Sequence, residues 1–95
     1  MTVYVDPTFR CVRSNRWPFS SSCHLFADAP DELHKFAASL GLRRWMFQSR
    51  DGFPHYDLTV VRRAMAVEAG AVEATARQTV EFARARSRTE MAAKP

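Results

Sequence analysis

The segment from Cys23 to Gly41 constrains the fold most strongly, because it predicts a strand followed directly by a helix. Residues 23–27 are mostly apolar, which is typical of a buried strand. Asp28 is suited to cap a helix, Pro30 to occupy its first turn, and Gly41 to end it. Between these signals an apolar stripe recurs at helical spacing, at Leu33, Phe36, Ala37 and Leu40. The segment therefore predicts a strand–helix unit whose helix packs one face against a core.

Other segments of the chain continue this alternation. Residues 3–5, 44–48 and 71–73 indicate further short strands, and residues 55–58 indicate a short extended piece. Thr59 is suited to cap a second helix that runs to Gly70, and residues 75–86 indicate a third, weaker helix. Strands that alternate with helices predict an α/β fold, here a small layered one with a short, largely parallel sheet of three or four strands and two or three helices. We expect residues 1–86 to form a single domain and the polar residues 87–95 to form a frayed tail.

Length and composition narrow the cellular setting. A chain of 95 residues has room for one domain. It contains no apolar run long enough to span a bilayer, and its first residues lack the basic region of a signal peptide. Its two cysteines, Cys11 and Cys23, are too few for a secreted disulfide scaffold. We therefore expect a cytoplasmic protein with free thiols and no membrane partner.

Polar side chains lie where the predicted strands end, which makes them candidates for a site. His55 and Asp57 are two residues apart in an extended piece, so they point to the same side. The same alternation places His24 on one side with Asp28, four residues on, and Tyr4 with Asp6, two residues on. Ligands of open α/β sheets bind outside the carboxyl ends of the strands. We expect acid–base or hydrogen-bonding work from His24, His55 and Asp57, and ligand binding by Tyr4, Asp6 and Asp28.

Three of these residues also have a purely structural interpretation. Asp28 fits a helix cap, Asp57 fits an acceptor for the N–H groups that begin the second helix, and His24 fits a histidine satisfied by backbone. As a metal site the His-x-Asp pair supplies at most two ligands, and the spacing fixes no third. The sequence therefore assigns no metal site and leaves the cofactor unknown.

Arginines supply a second set of candidates. Arg62 and Arg63 lie in the first turn of the second predicted helix, where the helix dipole disfavours cations unless an anion is nearby. With the free N–H groups of that turn they indicate a phosphate site. Alternatively, both are solvated, or one pairs with Asp57 or Glu68.

The chain as a whole is basic, with a formal net charge of +4. A segment from 8 to 22, predicted as a long loop, interleaves cations with an aromatic side chain, as nucleic-acid-binding surfaces do: Arg10, Arg13, Arg16 and Trp17. Arginine is also abundant in proteins from GC-rich genomes, and this would explain the basic charge without any nucleic-acid binding. Exposed aromatic residues and a thin core leave a homodimer open.

Several short motifs, in this order, resemble one family. They are Tyr-Val-Asp-Pro (4–7), Cys-His-Leu-Phe-Ala-Asp (23–28), Glu-Leu-His (32–34), Gly-Leu-Arg-Arg-Trp (41–45), Phe-Gln (47–48), His-Tyr-Asp-Leu-Thr (55–59), Arg-Arg-Ala (62–64) and Gly-Ala-Val-Glu (70–73). The chain is similar, over residues 3–73, to the bacterial and phage group called "domain of unknown function 4031". The resemblance implies a small stand-alone intracellular protein, often borne by phages or prophages, and it supplies no activity. The family pattern includes the positions of Asp6, His24, Asp28, His55, Asp57 and Arg63, whereas the arginine-rich 8–22 segment and the last helix depart from it.

Three functions remain open at this point. The first is a nucleotide- or phosphate-directed enzyme or binding protein that uses the His, Asp and Arg set. The second is a non-catalytic accessory that binds nucleic acid or protein through residues 8–22. In the third, the polar side chains only connect a small core through hydrogen bonds.

Overall fold

Short strands and three α-helices make up the described part of the chain. The computed structural model describes residues 2–49 and 52–93. The strands are β1 (Val3–Val5), β2 (Phe9–Arg10), β3 (Ser21–Ala27), β4 (Phe47–Gln48), β5 (His55–Leu58) and β6 (Val72–Glu73). The helices are α1 (Pro30–Ser39), α2 (Val60–Glu68) and α3 (Ala76–Ala93), with a 3₁₀ turn at Arg44–Met46. The predicted α/β class is confirmed.

The sheet has six strands and is mostly antiparallel, so the expectation of a largely parallel sheet of three or four strands is wrong. Its order is β4-β5-β3-β1-β6, and β2 pairs with β3 beside β1. Within the described residues β1 and β6 pair in parallel, while β3 is antiparallel to β1, β2 and β5, and β4 is antiparallel to β5. Among the residues that the structure describes, no helix separates β1, β2 and β3, or β4 and β5. Strands joined without a crossover helix run antiparallel, and this is why the prediction failed.

One face of the sheet packs against α1 and α2. The predicted stripe on α1 is confirmed, since Leu33, Ala37 and Leu40 are buried and Phe36 packs beside them. They contact alternate residues of the strands, among them Leu25 and Tyr56. Burying side chains of this size stabilises a fold by about 1.5–3 kcal/mol each. This face therefore holds most of the apolar core.

The opposite face carries an aromatic cluster that α3 covers in part. Phe26 of β3 and Phe53 are buried, with Phe82 of α3 packed over them. The ring centroids of Phe26 and Phe82 are 4.8 Å apart, and those of Phe26 and Phe53 are 5.4 Å apart. The helix thus packs on the side of the sheet away from α1 and α2, which gives a three-layer arrangement.

Two of the predicted helix-end signals are confirmed and a third is wrong. Thr59 caps α2 by accepting a hydrogen bond from the Arg62 amide at 3.2 Å, and Gly41 follows α1 with φ of 81°. The N-cap position of α1 is occupied by Ala29, and no side chain caps the helix there with a hydrogen bond. The prediction that Asp28 caps this helix is therefore wrong. The Asp28 carboxylate instead accepts from the amide of Thr2 at 3.0 Å, which turns it away from the helix.

Two predicted segment types are also corrected. Residues 44–48 were expected to be a strand, but Arg44–Met46 form a 3₁₀ turn and the strand begins at Phe47. Trp45 lies in this turn and is 80% exposed. Residues 8–22 are not one loop, because β2 and the first residues of β3 lie within them.

The last helix is longer than the sequence indicated. α3 extends to Ala93, beyond residue 86. The expected fraying of residues 87–95 stays a prediction, and residues 94 and 95 lie outside the described part. In the described ranges, no helix has both the length and the apolar character needed to cross a bilayer.

Candidate functional site

The pairing of β3 with β5 brings two histidines and an aspartate together. His24 lies directly opposite Asp57 in the register of the two strands. His55 lies two residues before Asp57 and therefore on the same face of the sheet. That face is the one away from α1 and α2, since the rings of His24 and His55 both pack against Phe53. The three sequence candidates for acid–base work are thus neighbours.

These three side chains are close enough to act on one ligand. Nitrogen or oxygen atoms of His24, His55 and Asp57, one from each, all lie within 4.8 Å of one another. The two imidazole rings are 4.9 Å apart and nearly perpendicular, and His55 Nε2 is 3.4 Å from Asp57 Oδ1. His55 is buried, whereas His24 and Asp57 are partly exposed. A small ligand can therefore reach the cluster from one side.

Each member of the cluster is held by a second group. Asp6 Oδ2 lies 2.7 Å from Nδ1 of His24, and the main-chain carbonyl of Phe53 lies 2.7 Å from Nδ1 of His55. A carbonyl oxygen only accepts, so Nδ1 of His55 carries its proton there. Gln48 donates its side-chain amide to Asp57. The orientations of all three are therefore fixed from outside the cluster.

The ionisation of Asp57 follows from these contacts. Burial by itself raises the pKa of the Asp57 carboxyl group. Hydrogen bonds from His55 and Gln48, together with electrostatic attraction from His55 and His24, outweigh burial and hold the pKa of Asp57 below its ordinary value. Asp57 is therefore a carboxylate at neutral pH and brings a negative charge to the cluster.

Asp6 lies in the short segment between β1 and β2, and its carboxylate contacts both the main chain and the side chain of His24 in β3. Its Oδ1 accepts from the amide of His24 at 2.6 Å, and its main-chain carbonyl accepts from Arg63 Nε at 2.8 Å. It is 4% exposed, and buried carboxylates are found where such partners exist. Asp6 therefore acts on His24 through two hydrogen bonds.

Arg62 and Arg63 do not converge on a common anion site. Arg63 is engaged by Asp6 and by Glu73, whose Oε1 is 3.2 Å from Arg63 Nη2. Arg62 Nη1 donates to the carbonyl of Leu40, beside Gly41, where an added Cβ would come within 3.0 Å of that nitrogen. Both arginines thus join α2 to other elements, through partners other than the expected Asp57 and Glu68.

Tyr4 and Asp28 lie together at the other end of β1 and β3. The Tyr4 hydroxyl donates to Asp28 Oδ1 at 3.2 Å, and the Tyr4 ring stacks on Phe26. The register places Tyr4 opposite Phe26, two positions from His24 along β3. The structure therefore brings neither residue into the cluster.

A groove of about 600 Å³ opens next to the cluster. Asp57 belongs to both, because it also lines the groove together with Arg13, Trp17, Thr59 and Arg62. Trp17 is positioned by a hydrogen bond from its indole nitrogen to the Ser21 carbonyl at 3.0 Å. Part of the 8–22 segment thus forms one wall of the groove.

The other arginines of that segment point into solvent: Arg10 and Arg16 are exposed. Arg13 is exposed as well, yet it lines the groove. The predicted nucleic-acid set is therefore divided, with Arg13 and Trp17 at the groove and Arg10 and Arg16 outside its wall.

Two contributors to the site were missed by the sequence reasoning. Gln48 pairs directly with His55 in the register of β4 and β5, and the Phe53 carbonyl lies two residues before β5 begins. The sequence does contain a turn signal between these strands, the Asp-Gly pair at 51–52, and Gly52 adopts the positive φ of 76° that such a turn requires. Pairing the strands across that turn would have placed Gln48 next to the histidine.

Comparison with known proteins gives one match. A family model described as "Protein of unknown function (DUF4031)" matches residues 3–86. The matched range extends past residue 73, where the sequence resemblance ended, and includes the first part of α3. No curated protein and no solved structure matches the chain.

Proposed function

Since the chain belongs to the DUF4031 family of proteins of unknown function, its role has to follow from its own site, and we propose that it is a nucleotide- or phosphate-directed binding protein or enzyme. The groove beside β5 is the binding site for the ligand. His24 and His55 supply groups that hold or protonate it, and the Asp57 carboxylate accepts a hydrogen bond or a proton from it. The observation that carries this proposal is that Asp57 belongs to the cluster and to the groove wall.

The lining of the groove supports a ligand with one flat and one anionic part. Trp17 offers an aromatic face for a base, and its ring meets Phe19 edge-on with centroids 5.2 Å apart. Arg13 and Arg62 supply cations, and guanidinium groups suit phosphate oxygens. Arg63, engaged by Asp6 and Glu73, takes no part in this arrangement. The net charge of +4 favours the approach of an anion.

Calorimetry with nucleoside mono-, di- and triphosphates and with inorganic phosphate tests the proposal. A hydrogen bond to a charged group contributes about 1.5–3 kcal/mol, so Arg13→Ala should weaken the binding of a phosphate ligand by about tenfold or more. Trp17→Ala should weaken the binding of nucleotides and leave the affinity for inorganic phosphate unchanged. Arg16→Ala is the matched control, since it is an exposed arginine of the same segment.

The alternative function predicts a different pattern. If residues 8–22 bind nucleic acid without using the groove, Arg10→Ala and Arg16→Ala should weaken the binding of short DNA or RNA as much as Arg13→Ala does. The affinity should then fall steeply with salt. Exposure of Arg10 and Arg16 favours this alternative. No binding of any nucleotide or phosphate by the wild-type chain would refute the groove proposal.

A further inference from the structure

We propose that His24, His55 and Asp57 form a binding site for a divalent transition-metal ion. Two imidazole nitrogens and one carboxylate oxygen are a donor set that zinc and iron(II) accept, with coordination positions left open for water or a ligand. The sequence assigned no metal, because His55 and Asp57 offer two ligands and the third comes from another strand. The register that sets His24 opposite Asp57 supplies it.

The spacing of the donor atoms fits such an ion. In a tetrahedral zinc site, donors at about 2.1 Å from the metal lie about 3.4 Å from one another. His55 Nε2 and Asp57 Oδ1 are 3.4 Å apart, and the three donor atoms lie within 4.8 Å. Binding an ion therefore requires shifts of side chains and leaves the strands in place.

Each of the three side chains also has the kind of outer contact that metal ligands use. Metal-binding histidines almost always donate their other ring N–H to a carboxylate or a main-chain carbonyl. Asp6 fills this role for His24, and the Phe53 carbonyl fills it for His55. A neutral ring with its proton on Nδ1 keeps its lone pair on Nε2, so a metal at His55 would displace the Nε2 proton that this ring offers to Asp57 in the metal-free chain. Gln48 donates to the carboxylate of Asp57 in the same way.

Charge complementarity favours a dication. With both imidazoles neutral, as a metal requires, the carboxylates of Asp6 and Asp57 give the group a negative formal charge. Arg63 approaches Asp6 at its main-chain oxygen and reaches Glu73 with its guanidinium, which leaves the Asp6 carboxylate to His24. A divalent cation would balance both carboxylates. It would bind without any nucleotide, so this inference does not depend on what occupies the groove.

The test uses untagged full-length chain that has been treated with a chelator and dialysed. Zinc is titrated by calorimetry, and cobalt(II) is titrated by absorption spectroscopy, since nitrogen and oxygen ligation changes its visible spectrum. We expect one equivalent of metal per chain. His24→Gln and Asp57→Asn should each weaken binding by about tenfold or more, because loss of even an outer contact costs about 10–100-fold.

Two control variants remove other side chains of this protein that could bind zinc. His34→Gln removes the third histidine, which bonds to the Tyr56 hydroxyl on the α1 side of the sheet, and it should leave zinc affinity unchanged within about twofold. Cys11→Ser removes the accessible thiol and should also have no effect. Circular dichroism checks that each variant is folded.

The outcomes separate this inference from the proposed function. Failure of the wild-type chain to bind zinc or cobalt, or equal binding by the wild type, His24→Gln and Asp57→Asn, overturns the metal site. Nucleotide binding measured in chelator then still decides the groove proposal. Metal binding that is lost in both variants and kept in both controls supports the site even if no nucleotide binds.

Discussion

Replacing Asp6 by asparagine tests how the site is oriented. The Asp6 carboxylate contacts His24 twice, with Oδ1 at 2.6 Å from the amide nitrogen and Oδ2 at 2.7 Å from Nδ1. Asparagine retains one acceptor oxygen for the amide. Its NH₂ group then faces Nδ1 and donates to it, so the neutral imidazole carries its proton on Nε2. In that tautomer Nε2 has no lone pair to offer a metal.

The size of both effects follows from these contacts. Loss of the partner that orients a metal-binding histidine weakens metal affinity by about 10–100-fold. For stability, a hydrogen bond to a charged group contributes about 1.5–3 kcal/mol and a neutral one about 0.5–1.5, so Asp6→Asn should cost about 1 kcal/mol. Asp6→Ala leaves the amide of His24 without its acceptor, which adds about 1–3 kcal/mol. For a domain of this size 1 kcal/mol lowers Tm by about 4–8 °C.

Zinc calorimetry and thermal melting of metal-free protein measure the two effects separately. Asp28→Asn is the control, because that carboxylate is exposed and bonds to Thr2 and Tyr4 away from the cluster. We expect it to leave zinc affinity unchanged. The reasoning is refuted if Asp6→Asn binds zinc as tightly as the wild type, or if it lowers Tm more than Asp6→Ala does.

Three further predictions concern other parts of the molecule. Burial raises the pKa of the Cys23 thiol to about 12, so a maleimide should label Cys11 in the folded chain and Cys23 only after unfolding; labelling of both at one rate would contradict this. Burial lowers the pKa of His34, so the unfolded state binds more protons near and below pH 6.5 and unfolding free energy should fall as the pH drops through that window. Urea titrations at several pH values should show a smaller fall for His34→Gln, and an identical fall would count against the assignment. Phe82→Ala should destabilise the chain by about 1–3 kcal/mol, less than the 3–5 typical of fully buried Phe, because Phe82 is half-buried over Phe26; a Tm within error of the wild type would show that α3 does not hold this face.

Local signals in the sequence predicted local structure well. The spacing of Leu33, Ala37 and Leu40 identified the buried face of α1, and Gly41 and Thr59 marked a helix end and a helix start. These features depend on residues within one helical turn of each other, so a single segment contains the information. The membership of the family was likewise predicted from short motifs and is confirmed by the match over residues 3–86.

Pairing between distant segments was not predictable in the same way. Strand direction depends on which strands meet. The residues between β1 and β3 contain no helix, which allows an antiparallel return, but no local signal showed that these two strands pair with each other. The same limit applies to the site. His55 and Asp57 were recognised as a pair two residues apart, whereas the approach of His24 to Asp57 depends on the β3–β5 register. Asp28 was misassigned because its partners, Thr2 and Tyr4, lie in another strand region.

The two-residue strands at the margins of the sheet bear on how copies of this chain meet in solution. β4 and β6 are the outermost strands, and each consists of two residues. Long, regular sheet margins template the addition of further chains, and short ones offer too few main-chain groups to do so. A further chain that paired with β4 or β6 in a fibril-like stack would form few main-chain hydrogen bonds. Any homodimer of this protein would therefore have to use side chains on another surface.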